Sequence, residues 1–168
     1  YWPITYIEPL ETNIQALGLD MAHEINRYTA GVKSRDTGKA QITGPITLVQ
    51  DSGRTPGFLF YAPFYLPNMH KNLEESQKNF AGMVYAPFIM HKLMRGALEK
   101  EKRLVRIKII DKDESLYNEL VKEDSDYDED PLFKKNVSLK MYGRDWDFQI
   151  WTSKSFRKLA YSSQPLII

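Results

Sequence analysis

Apolar residues along this chain either alternate with polar ones or recur at helical spacing, and the alternating segments outnumber the helical ones. Trp2-Pro3-Ile4-Thr5-Tyr6-Ile7 alternates and is rich in β-formers, which predicts a strand. Leu17-Gly18-Leu19-Asp20 breaks that pattern. From about Ile25 the residues Ile25, Tyr28, Thr29 and Val32 recur as one face of a helix, which Asp36-Thr37-Gly38 closes. Ala40 to Val49 predicts a strand, and Gly44-Pro45 inside it predicts an edge or a bulge, because proline removes a ladder donor. After a turn at Asp51-Ser52-Gly53-Arg54, Gly57 to Tyr65 is almost continuously apolar and predicts a strand buried on both faces.

The second half follows the same logic. Asn68 to Lys78 is polar and reads as a loop, and Phe80 to Tyr85 as another buried strand. Pro87 fits the first turn of a helix carrying Phe88, His91, Leu93, Met94, Ala97 and Leu98. Leu104 to Ile109 alternates cleanly, Asp111-Lys112-Asp113 turns, and Leu116 to Val121 reads as a short strand. Val137 to Tyr142 and Trp146 to Trp151 make a hairpin around Gly143-Arg144-Asp145. More strands than helices, mostly joined by short turns, predict an α+β fold with antiparallel pairing. Tyr61-Ala62-Pro63-Phe64 recurs as Tyr85-Ala86-Pro87-Phe88, as two strands of one sheet that end alike.

Composition adds exclusions. With 168 residues, 42% apolar and 12% aromatic, the chain can bury a core without staples. The net charge of +1 gives no general pull toward nucleic acid or anionic lipid. Cysteine is absent, which removes disulfides, thiolate metal sites and cysteine nucleophiles, and suits an oxidising compartment. The chain opens on Tyr1 rather than Met and turns apolar at Pro165-Leu166-Ile167-Ile168. That is the pattern expected of a segment cut just before a membrane helix, and equally of a plain tail.

Three segments taken in order carry a family likeness: Thr5 to Pro9, Ala16 to Met21, and Arg35 to Lys39 continuing through Thr43 to Gln50, with Gly57 to Tyr65 extending it. Together they resemble the CHASE domain, the extracytoplasmic sensor of membrane-bound histidine kinases and nucleotide cyclases, including diguanylate cyclases and plant cytokinin receptors. The likeness is strong from Tyr1 to about Tyr65 and looser beyond. It implies two PAS-like modules after a long N-terminal helix that this chain lacks: a membrane-distal ligand-binding module at 1–78 and a membrane-proximal one at 79–168. It also implies a homodimer in the intact receptor, a periplasmic or extracellular location, and attachment to the membrane through flanking helices.

The resemblance points to Asp20, with Met21 beside it, as a contact for an adenine- or cytokinin-like ligand, and to the backbone around Ile42 and Thr43 as facing that ligand. Read from the residues alone, Asp20 sits among apolar neighbours and needs a partner, or it starts a turn. Phe58, Phe60 and Tyr61 are expected to line the same pocket, or simply to fill the core. The cytokinin binders carry a small Thr where Tyr61 stands, so the pocket is expected to be kept with a different specificity.

Other clusters are weaker. Asp124, Asp126, Asp128 and Asp130 alternate like the start of a calcium loop, but the required Gly is Glu129 and the closing Glu is Lys135, which favours a solvated acidic loop. His23, His70 and His91 are too scattered to read as a metal site, and no phosphate loop or nucleophile elbow is present. Lys92, Arg95, Lys100, Lys102 and Arg103 are expected as the basic end of a helix rather than a nucleic-acid surface. The resemblance, with these exclusions, implies a non-catalytic small-molecule sensor without a cofactor. The alternative is a ligand-free module that dimerises and transmits a signal, with Asp20 satisfied internally and no cavity.

Overall fold

Glu24 starts the longest helix of the chain. Its carboxylate accepts from the backbone N–H of Asn26 at 2.9 Å and of Arg27 at 2.8 Å, pairing two donors that a helix start leaves bare. In the computed structural model, which describes residues 1–48, 53–66, 72–99 and 102–162, this helix follows α1 (Leu10–Asn13) and a 3-10 turn (Ile14–Ala16). As α2 it spans Ile25–Thr37 and stops at Gly38, whose φ of 66° few other residues adopt and whose N–H returns to Ser34 O at 3.0 Å. Its buried stripe is not the apolar one expected. Ala30, Gly31 and Ser34 face inward, while Ile25 is 71% exposed. The small side chains let other elements approach closely.

The chain divides into two units, Tyr1–Met90 with the turn Met141–Arg144, and His91–Lys140 with Asp145–Ile168. In the first, β1 (Gln41–Ile42), β2 (Gly57–Tyr65) and β3 (Phe80–Ile89) form an antiparallel sheet in that order. The predicted strand Ala40–Val49 shortens to Gln41–Ile42, with one further bridge from Ile46 to Gly57, and Val49 lies outside the described residues. Thr43 extends the ladder past β1. Its N–H donates to Leu59 O and its hydroxyl accepts from Leu59 N–H, both at 3.0 Å.

That arrangement explains the prolines. Leu59 spends both backbone groups on Thr43, so Pro87, opposite Leu59, turns its missing N–H toward the open edge. The helix expected from Pro87 therefore begins later. The strand runs to Ile89, and α4 occupies Met90–Leu98. Because β3 pairs with β2 along its length, the division between units falls after Met90, beyond the Lys78 boundary read from the sequence. Neither strand is buried on both faces as expected, since Phe64 is 49% and Val84 64% exposed. The predicted loop contains a helix, α3 (Leu73–Asn79), capped by the Asn72 side chain on Glu75 N–H at 2.9 Å; Asn68 to Lys71 lie outside the described residues.

Trp2–Ile7 does not form the expected strand. It lies extended along Gly18–Met21 through a single bridge, Pro3 to Asp20, with Ile4 N–H on Leu19 O at 3.0 Å and Met21 N–H on Trp2 O at 2.9 Å. Ile4, Ala16, Met21, Ala30, Leu59 and Tyr61 belong to the core that this segment closes.

The second unit carries an antiparallel sheet ordered β5-β4-β7-β6, from β4 (Val105–Asp111), β5 (Glu114–Asn118), β6 (Lys134–Met141) and β7 (Arg144–Thr152), followed by α5 (Lys154–Ser162). The hairpin turn is the pair Tyr142-Gly143, with φ of 42° and 88°, the two-residue type that matches strand twist. The sequence did not predict α5. The apolar end Pro165–Ile168 lies outside the described residues, as does Lys100 of the basic cluster. The fold is α+β with antiparallel sheets.

Candidate functional site

Tyr61 and Tyr85 are directly opposite on β2 and β3, their rings edge to face with centroids 6.5 Å apart. They begin the two Tyr-Ala-Pro-Phe segments, so the sequence repeat is a cross-strand pair in space. Alternation along β2 puts Leu59 and Tyr61 on the face covered by α2, where Tyr65 also reaches the Arg35 carbonyl of the helix. Arg27 sits one turn before Ala30 and Gly31 and so shares the inward stripe of α2.

Two buried polar atoms of this interior have no partner among the described residues. Tyr61 is 3% exposed, and among the described residues its hydroxyl makes no hydrogen bond; neither does the buried Nε of Arg27. The far end of Arg27 reaches Thr47 O through Nη2 at 3.4 Å, and Arg27 has no ion pair among the described residues. Burial pushes the Tyr61 phenol far above its ordinary range, an effect the Arg27 cation partly offsets and Glu24 reinforces. Tyr85 is raised as well, by burial, against the same Arg27 charge.

A cleft of about 700 Å³ opens over this pair. Tyr61, Met83 and Tyr85 lie on its sheet side, and Ile4, Tyr6 and Met21 come from the segments closing over it. A crevice of about 20 Å³, room for about one water, adjoins it and is lined by Arg27 and Leu59. The cleft is within the range of small-molecule sites, which are mostly apolar with a few convergent polar groups.

The seven residues singled out from the sequence separate here. Met21 and Tyr61 line the cleft. Phe58 and Phe60 do not share it, because alternation puts them on the opposite face. Phe58 stacks on Phe88 at 5.2 Å, and Phe60 meets Tyr142 edge to face at 4.9 Å. Ile42 is 3% exposed and donates its N–H to Tyr142 O at 3.0 Å, while Thr43 is spent on Leu59. Asp20 is satisfied locally: Oδ1 accepts from Trp2 N–H at 2.8 Å and Ala22 N–H at 2.9 Å. Those two bonds, Trp2 first, lower its carboxyl below the ordinary range. Arg27 and Tyr85 were missed. The Tyr-Ala-Pro-Phe repeat was the available signal for Tyr85; for Arg27 it was the spacing Arg27, Ala30, Gly31, Ser34.

The family model of the CHASE domain matches residues 1–121, well over half of the chain. The chain belongs to the CHASE family. CHASE domains are extracytoplasmic, non-catalytic sensor domains of membrane receptors. The match includes the whole cleft and runs past Met90 through β4 and β5. No curated protein matches this CHASE domain. Among the described residues no group of three His, Cys, Asp or Glu is placed to hold a metal, and no helix is long and apolar enough to cross a membrane.

In the second unit the acidic run is consumed by protein partners. Arg106 bridges Asp124 at 2.8 Å and Asp126 at 3.2 Å, and Arg157 binds Asp128 at 2.7 Å. Asp126 Oδ1 also accepts from Ser155 N–H at 2.8 Å in the first turn of α5. These carboxylates anchor a helix to a sheet rather than forming the solvated loop expected.

Proposed function

We propose that this CHASE domain binds a small molecule in the cleft over Tyr61 and Tyr85 and reports it across the membrane as part of a transmembrane receptor, whose output is a histidine kinase or a diguanylate cyclase. The observation that carries this reading is the cleft itself, of ligand size, whose lining residues all lie within the family match. Ligand affinity that differs between two arrangements of the receptor shifts their populations, and that shift is the signal. PAS-like modules, a homodimer and flanking membrane helices belong to this proposal.

The rival, a transmission module without a ligand, has one observation in its favour, the local satisfaction of Asp20. It also requires a closed core, which the cleft opposes. Thermal shift of the chain against a small-molecule library, in parallel with an Ala81→Trp variant whose indole fills the cleft, separates them. Hits that disappear in Ala81→Trp support the sensor. No hit, with the full-length receptor signalling normally when it carries Ala81→Trp, supports the rival.

A further inference from the structure

The interior beneath the cleft holds a donor pair with nothing to donate to. Arg27 Nε–H can only donate, and Tyr61 O–H can donate to an acceptor placed beside it. Both atoms are buried and unpartnered, and Tyr61 is more than nine-tenths buried. Buried polar groups in native proteins are paired with few exceptions, so two orphans on the facing sides of the α2–β2 interior call for a partner absent from the chain. Carboxylates of the chain do not fill the role. Glu24 is committed to the start of α2, and Glu8 accepts from the Tyr6 hydroxyl at 3.1 Å. Arg27 makes no ion pair among the described residues, and its guanidinium binds anions more strongly than neutral acceptors, which favours an anion as the partner.

The apolar share of the site is also defined. Tyr85, Met21, Ile4 and Pro87 line both the cleft and the crevice that reaches Arg27, so the two are walled by the same side chains. An occupant that extends from the cleft toward Arg27 therefore has its charged end at the mouth of the crevice and an apolar body among those residues. We propose that the ligand is a small organic monocarboxylate with an apolar or aromatic body, its carboxylate accepting from Arg27 Nε–H and Tyr61 O–H. This rests on the sensor reading above and gives it a ligand class. It does not use Asp20, whose Oδ1 is taken by backbone donors, and it differs from the adenine-like ligand expected from the sequence.

The test uses the whole chain and two matched pairs of probes, phenylacetate with phenylacetamide and benzoate with benzamide, each titrated to millimolar concentration. The readout is the ¹⁵N–¹H resonance of the arginine Nε–H groups, assigned for Arg27 by its loss in Arg27→Gln. The acids should move that resonance while the amides, equal in shape, bind at least tenfold more weakly. Tyr61→Phe should weaken the acids about 10- to 100-fold, the usual effect of losing one bond to a charged group. Amides that bind as well as acids overturn the carboxylate proposal and leave the sensor reading standing. Acids that bind without moving the Arg27 resonance, or equally well to Tyr61→Phe, also overturn it. If neither acids nor amides bind, the carboxylate proposal fails, and the library screen decides the sensor reading separately. Should Arg27→Gln not fold, the acid-against-amide comparison in the native chain and Tyr61→Phe still decide.

Discussion

A β-carbon on Gly31 would stand 2.5 Å from Cζ3 of the Trp2 indole. The ring occupies the notch that the absent side chain leaves in α2, with Tyr28 at 5.5 Å and Phe80 at 6.2 Å between ring centroids. Trp2 in turn holds the segment that closes the cleft. Alanine at position 31 gains up to about 1 kcal/mol of helix propensity. It also forces a partly buried ring aside, an overpacking that costs about 1–3 kcal/mol. The steric term wins. Gly31→Ala should lower stability to urea by about 1 kcal/mol and expose the indole, which a red shift in tryptophan emission reads directly. An unchanged midpoint with unchanged emission would show that the ring is not seated in the notch.

Glu119 is a heavily engaged carboxylate of the second unit. Arg103 grips both its oxygens at 2.7 Å, Tyr117 donates to it at 2.7 Å and Ile107 N–H at 3.1 Å. Burial alone would raise its pKa, but the bonds from Arg103, Tyr117 and Ile107 outweigh it and the net direction is down from 4.5. The Tyr117 phenol is pushed up to about 12, by burial first and then by this bond. A carboxyl lowered on folding contributes stability that is present above its unfolded value and lost as the pH falls through the folded one. Unfolding free energy should therefore be flat near neutrality and decline below about pH 4.5. Glu119→Gln should cost about 2–4 kcal/mol at pH 7, less than a fully buried broken pair because both side chains keep some solvent. It should also flatten part of the acid decline. Urea midpoints for both proteins at pH 7 and pH 4 give the comparison, and parallel declines would count against Glu119.

The acidic loop predicts an insensitivity. Asp124, Asp126 and Asp128 already have Arg106, Arg157 and the start of α5 as partners, so a calcium ion would have to displace them. Millimolar Ca²⁺ and a chelator should give the same melting temperature. Asp126→Ala, by contrast, removes the acceptor for Ser155 N–H and Oγ and should cost about 1–2 kcal/mol, as for a lost helix cap. Calorimetry of the two proteins with and without Ca²⁺ checks both statements.

What could be read locally was read well. The Gly38 stop of α2, the alternation of β4 and the hairpin at Gly143 follow from single-residue conformational preferences and short periods, which a sequence displays. What failed needed a neighbour. Pro87 looks like a helix start until Leu59 is seen to face Thr43, leaving the proline nitrogen toward an open edge. The apolar residues Ile25 and Tyr28 suggest the buried face of α2 until Trp2, far away in sequence, is found against Gly31. The grouping of Phe58 and Phe60 with Tyr61 was avoidable, since adjacent strand residues point to opposite faces. The spacing of Arg27 with Ala30, Gly31 and Ser34 places it on the inward stripe of α2, but the lack of a partner for its Nε cannot be read from a sequence.

The orphan hydroxyl of Tyr61 makes a prediction that runs against the usual direction of core mutation. Removing a buried hydroxyl normally costs the bond it made, but this one makes none among the described residues. An unsatisfied buried polar group instead carries a desolvation penalty of about 1–3 kcal/mol. Phenylalanine keeps the ring against Tyr85 and discards the penalty. Tyr61→Phe should thus be more stable than the native chain by about 1 kcal/mol in the absence of any ligand, melting a few degrees higher. The gain should be absent in Tyr85→Phe, because that hydroxyl is not among the fully buried, unpaired atoms. Differential scanning calorimetry of the three proteins measures it. A destabilised Tyr61→Phe would mean that the hydroxyl has a partner within the folded chain, and the cleft would then lose the donor that most clearly marks it as a binding site.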